Sequence, residues 1–188
     1  MADMTAAEAA MFNDFAFQRV ITPTLLDEGG DKVTDDPKDH GGRTKFGITQ
    51  RLLNAVWPGK IVDTLTEAEA KQIYYVHFWI EYKFDTLPER IGAKMFNFCV
   101  TAGPKAAFLC LQRAMRSNTI DVKEDGVVGP ITRGKLMSFL FPVGLNGAPQ
   151  ECAESCIMAA LKSEIAGYYR DLDQERFEAG WVNRAYRG

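Results

Sequence analysis

Apolar residues recur at three- and four-residue intervals along most of the chain, the spacing of helices that bury one face. Between residues 9 and 27, Met11, Phe12, Phe15, Phe17, Val20, Ile21, Leu25 and Leu26 form a broad stripe, and Pro23 is expected to kink or divide that helix. From Asp31 to Gln50 the pattern changes to dense turn residues with short alternation, which predicts a small, irregular β-hairpin ending near Phe46 to Ile48. Thr49 then caps a helix through Leu52, Leu53 and Val56, ended by Pro58-Gly59. Thr66-Glu67-Ala68-Glu69 has the form of a capping box opening a helix through Ala70, Ile73, Tyr74, His77, Phe78 and Trp79. Aromatic residues at that spacing are more often core than the floor of a sugar site.

The second half continues in the same period. A strongly apolar helix runs from Ile91 to Ala102 and stops at Gly103-Pro104; another spans Lys105 to Arg116. The turn Asp125-Gly126-Val127-Val128-Gly129-Pro130 places Pro130 at the start of the next helix. Phe141 to Pro149 is a Gly/Pro-rich connector, and Gln150 to about Asp173 a long helix. The predicted class is mainly α in one domain of two lobes, residues 1–90 and 91–188, with the small β-hairpin in the first lobe.

Composition narrows the function classes. A chain of 188 residues with 46% hydrophobic and 25% charged content has the material for a sizeable core. A formal net charge of −3 gives no general attraction to nucleic acid, so no nucleic-acid partner is expected. The opening MADMTAAEAAMF lacks the basic and apolar regions of a signal peptide, and no apolar run approaches the roughly 20 residues of a membrane span. The expectation is synthesis in the cytoplasm. Cys99, Cys110, Cys152 and Cys156 contain no CxxC pair and are expected to be reduced, buried thiols. With only His40 and His77 a zinc amidase lacks ligands, and no metal or cofactor is expected. No GxSxG elbow or GxxxxGK[ST] phosphate loop is present.

The chemistry concentrates between Thr24 and Gln50. Glu28 precedes the glycine pair Gly29-Gly30, and an acidic turn, Asp35-Asp36-Pro37-Lys38-Asp39, leads to a second pair, Gly41-Gly42. Two carboxyl groups held by such turns suit glycoside cleavage, which needs a proton donor at the leaving oxygen and a carboxylate on the far side of the ring. Beside a packed apolar face a carboxyl group holds its proton more firmly, as a general acid at neutral pH must. Read locally, Glu28 is equally a solvated residue at a helix end stopped by Gly29.

The succession EGG, DPxDxGG and TxxGIT resembles glycoside hydrolase family 108, the muramidases of phage endolysins and bacterial secretion-associated lysozymes. Asp31 stands where the family pattern has Tyr, and the following loop is longer. The resemblance implies a lysozyme-like fold with peptidoglycan glycan strands as substrate. It implies Glu28 as general acid, Asp39 (with Asp36 as rival) as base or charge stabiliser, and Thr44 orienting water. Gly29, Gly30 and Gly42 would line the sugar-binding loop. In the segment resembling the family's DAAVNSGP, Asn97 and Thr101 replace the acid and the asparagine and remain candidates for a substrate hydrogen bond. Leu111-Gln112-Arg113-Ala114, the DGxxGPxT turn and the closing Gly180-Trp181-Val182-Asn183-Arg184 extend the resemblance, with Trp181 expected on the core and Arg184 and Arg187 near an anionic wall polymer. A monomer acting in the periplasm or cell wall, delivered by a holin or a secretion route, is what this implies. Two alternatives stay open: a lytic transglycosylase using the same acid, and a wall-binding or structural module without catalysis.

Overall fold

The computed structural model describes residues 6–35, 42–142, 151–172 and 175–187. They are mainly helical, with one two-stranded antiparallel sheet, and the chain divides into two compact units, Met1–Glu89 and Arg90–Gly188.

In the first unit the N-terminal stripe forms two helices, α1 (Ala6–Asn13) and α2 (Phe15–Asp27). The division falls at Asp14, not at Pro23. Asp14 leaves helical geometry and accepts the Phe17 N–H at 2.9 Å, an N-cap for α2. Its second oxygen accepts the Trp79 indole N–H at 2.8 Å, which ties the start of α2 to the aromatic core. Pro23 sits on the exposed side of α2, as does Arg19, whose carbonyl loses a partner there and can turn to water. The stripe is also narrower than expected. Phe17, Val20, Ile21 and Leu25 are buried, whereas Phe12, Phe15 and Leu26 are at least 70% exposed.

The β-hairpin pairs β1 (Thr44–Lys45) with β2 (Ile48–Thr49) around a two-residue turn, Phe46-Gly47. Thr49 caps α3 (Gln50–Val56) by accepting the Leu52 N–H at 3.1 Å. Three side chains fasten the hairpin to the segment that follows α3. Arg43 grips Asp63 through Nε and Nη2 at 2.7 to 2.9 Å, Lys45 donates to the Leu65 carbonyl, and Gln50 bonds the Lys60 carbonyl and the Val62 N–H. The predicted capping box opens α4 (Glu67–Tyr74), with Thr66 and Glu69 satisfying each other's backbone N–H groups. The expected α-helix through Trp79 instead continues as a π-helical turn, Tyr75–Ile80. Tyr74, Tyr75 and Trp79 are all buried, and Phe17 packs on both Tyr75 and Trp79. These aromatics are core.

In the second unit α8 (Glu151–Asp171) packs against α6 (Pro104–Ser117), α7 (Pro130–Leu140) and α9 (Glu175–Tyr186). Phe98 of α5 (Glu89–Ala102) meets Tyr168 and Tyr169 of α8 edge-on. Lys94 is buried on α5, and its ammonium group donates to the carbonyls of Arg184 and Arg187 at the C-terminal end of α9. The side chain of Trp181 lies outside the described residues, as does most of the Phe141–Pro149 connector. Cys99 and Cys110 are buried free thiols, and burial pushes the Cys110 thiol up to about 12. Cys152 and Cys156 are exposed instead, on an outward face of α8, which corrects the expectation that all four are buried.

Gln112, fully buried in α6, explains the spacing of the LQRA and DGxxGP segments. It donates to Asp125 Oδ1 and the Val127 carbonyl and accepts the Gly126 N–H, closing the turn around one side chain. Replacing Gln112 with Leu strands the Gly126 N–H and the Val127 carbonyl, a cost of about 2–3 kcal/mol, read as a lower urea midpoint. The same clip, led by Gln112, holds the Asp125 carboxyl below the usual carboxylate range. Its stabilising contribution is therefore complete above the ordinary value and lost as the pH falls through the lower folded one. Asp125→Asn should flatten the acid limb of stability against pH.

Candidate active site

The sequence Glu28-Gly29-Gly30 is first of all a helix ending. Glu28 is the C-cap of α2, Gly29 and Gly30 take φ of +93° and +63°, and the chain turns back on itself. The Gly29 N–H donates to the Leu26 carbonyl at 3.2 Å and the Gly30 N–H to the Leu25 carbonyl at 2.9 Å, the paired bonds of a Schellman motif. Two successive left-handed residues suit glycine and almost nothing else. The cap leaves Glu28 half-buried at the edge of the first unit's core.

The hairpin is bonded to this cap. The Phe46 N–H donates to the Gly30 carbonyl at 3.0 Å, and the Phe46 carbonyl accepts the Tyr74 hydroxyl at 2.9 Å. Phe46 and Gly47 have φ of +54° and +75°, as a two-residue type I′ hairpin turn demands. Gly47 lies directly on the Glu28 side chain. A Cβ at position 47 would stand 2.8 Å from Glu28 Cβ, 2.9 Å from Glu28 Cγ and 2.7 Å from the Tyr74 hydroxyl, distances no side chain tolerates. The TxxGIT motif thus encodes a turn whose tip fits over the stem of the proposed acid.

Thr44 is half-buried on β1, and its N–H and carbonyl form a bridge with Thr34 at 2.8 and 2.9 Å. That bridge closes the base of the loop whose sequence carries the acidic turn. The Thr44 hydroxyl donates to the Gly42 carbonyl at 2.9 Å, so while that bond stands it can meet a water only as an acceptor. Gly42 has φ of +67° with open space where a side chain would be. Asp39, its rival Asp36, and Gly41 lie outside the described residues. Asn97 and Thr101 are half-buried one turn apart on α5, in the second unit, and the Thr101 hydroxyl donates to the Asn97 carbonyl at 3.3 Å.

The structure therefore gathers Glu28, Gly29 and Gly30 with Phe46, Gly47 and Tyr74. The last three were not singled out from sequence as site residues. Phe-Gly between two short alternating runs was the available signal for the turn. Nothing in the spacing of Tyr74 within its helical stripe sets it apart from the neighbouring core aromatics. Among the described residues no group of three or more His, Cys, Asp or Glu side chains is placed to hold a metal ion.

Residues 21–103, which contain the α2 cap, the hairpin and Tyr74, match the model of the family described as glycosyl hydrolase 108. No protein with a curated description matches. Among solved structures the chain is similar to SagA of Brucella abortus, with 28% identity over 90% of this chain and 88% of that one and a TM-score of 0.69. The mainly α, lysozyme-like class expected from the sequence stands, with one small two-stranded sheet among the described residues. Residues 21–103 thus resemble glycosyl hydrolase family 108, and that match together with the likeness to SagA supports a peptidoglycan hydrolase of the lysozyme-like kind.

Proposed function

We propose that the protein is an N-acetylmuramidase, cleaving the β-1,4 bond between N-acetylmuramic acid and N-acetylglucosamine, with Glu28 as general acid. The observation that carries this reading is the double constraint on Glu28. Its backbone is held by the Schellman cap and its stem by Gly47. A proton donor must keep one position relative to the leaving oxygen, and rigid support of this kind meets that demand. In the same reading Asp39 is the base or charge stabiliser, and Thr44 orients the attacking water by accepting its hydrogen bond. Gly29, Gly30, Gly42, Asn97 and Thr101 contribute contacts to the glycan.

The second unit is assigned a supporting role. The Gln112 clip accounts for the DGxxGP turn without a ligand, so that turn is scaffold rather than binding site. We assign the site of action to the periplasm or cell wall, reached by a holin or a secretion route, and the working form to a monomer. Among the described residues no helix is long and apolar enough to cross a membrane.

Glu28→Gln should fold like the wild type and lose a factor of about 10² to 10⁴ in the clearing of cell-wall suspensions. Near-wild-type lysis by that variant would refute the assignment. Mass spectrometry of the muropeptides released by the wild type should find reducing ends that have gained water; anhydro ends would identify a lytic transglycosylase using the same acid. Absence of soluble products from purified peptidoglycan would leave a wall-binding module.

A further inference from the structure

We infer that Tyr74 is a positioning residue for Glu28, acting through the tip of the hairpin; the inference rests on Glu28 being the general acid. Three observations place it in that role. The Tyr74 ring is 1% exposed and packs against Phe78 at 5.3 Å between centroids, so its hydroxyl has a fixed origin in the core. That hydroxyl donates to the Phe46 carbonyl in a buried bond across 28 residues of sequence. The position where a Gly47 Cβ would stand is 2.7 Å from the hydroxyl and 2.9 Å from Glu28 Cγ, so Tyr74 and the acid flank the same glycine from two sides.

The bond has a specific mechanical effect. Phe46 is a bulky residue at positive φ, a conformation that costs about 1–2 kcal/mol in an L residue. A turn with such a residue at its first position is prone to relax by rotation about the Phe46 N–Cα bond toward negative φ, which carries the peptide between Phe46 and Gly47 with it. That rotation would swing the Phe46 carbonyl out of reach of Tyr74 and leave a buried oxygen unpaired, which is costly. Tyr74 therefore selects one orientation of this peptide. With it fixed, and with the Phe46 N–H held by Gly30, Gly47 keeps its seat on the Glu28 stem. Without it the tip lifts, and the carboxyl group samples positions from which proton transfer is slow.

Tyr74→Phe keeps the ring and deletes only the hydroxyl. Steady-state hydrolysis of soluble glycan strands by this variant should show kcat reduced about tenfold with KM within about twofold of wild type, because glycan contacts remain while the acid's alignment is lost. In combination with Glu28→Gln, Tyr74→Phe should slow the residual reaction no further, since there is no proton donor left to align. Wild-type kcat in folded Tyr74→Phe, a defect confined to KM, or a full tenfold further loss on the Glu28→Gln background would each overturn the inference. Should thermal unfolding show that Tyr74→Phe does not fold, Gly47→Ala supplies the same test. It retains Tyr74 but forces the tip off Glu28, so a kcat loss at unchanged KM supports the inference and wild-type kcat overturns it. Full activity in Glu28→Gln alone is a separate result, and sinks the assignment of the acid rather than the coupling of Tyr74 to it.

Discussion

The site depends on one close approach, the backbone of Gly47 lying on the side chain of Glu28. Neither partner achieves it alone. Glu28 is brought to its place by a helix whose last turn closes through Gly29 and Gly30, and Gly47 by a hairpin whose tip is bonded to Gly30 on one side and Tyr74 on the other. A glycine is required at position 47 twice over. Its φ of +75° lies in the left-handed region, and a methyl group there would collide with two different side chains.

The supports of this contact form a connected series. Asp14 caps α2 and holds Trp79, so the helix that delivers Glu28 is joined directly at its start to the aromatic segment that begins at Tyr74, and through Phe46 at its end. Arg43, Lys45 and Gln50 fasten the hairpin to residues 60–65, which lead into the capping box of α4. The proposed acid thus stands on regular secondary structure, while the acidic loop begins and ends at the Thr34–Thr44 bridge. This arrangement sets the proposed proton donor on regular structure rather than on a loop.

Much of this was legible in the sequence because local rules and the tertiary structure agree. Thr49 and Thr66-Glu69 cap the helices they should, and Gly103-Pro104 separates α5 from α6. The two readings of Glu28, helix terminus and site residue, turn out to be compatible, since the terminus is the device that presents the side chain. The misses have physical causes. Pro23 has a strong intrinsic tendency to break a helix, yet on a solvent-facing surface its missing bond is tolerated, whereas Asp14 competes for the backbone with its own side chain and wins. Periodicity placed Tyr74 in the core but is blind to where a buried hydroxyl points. The expectation of buried thiols rested on the missing CxxC pair and signal peptide, which say nothing of the side a cysteine takes on its helix, and Cys152 and Cys156 face outward on α8. Asp39 was found by motif alone and falls outside the described residues.

Resemblance to a family bears on the class of reaction, but the identity of the acid is a matter of geometry. The direct measurement is a crystal structure with a bound chitooligosaccharide. The account predicts the Glu28 carboxyl group within about 2.6–3.2 Å of a glycosidic oxygen, its stem still covered by Gly47. An oligosaccharide seated with its glycosidic oxygens beyond the reach of Glu28, and another carboxyl group beside the bond, would contradict it.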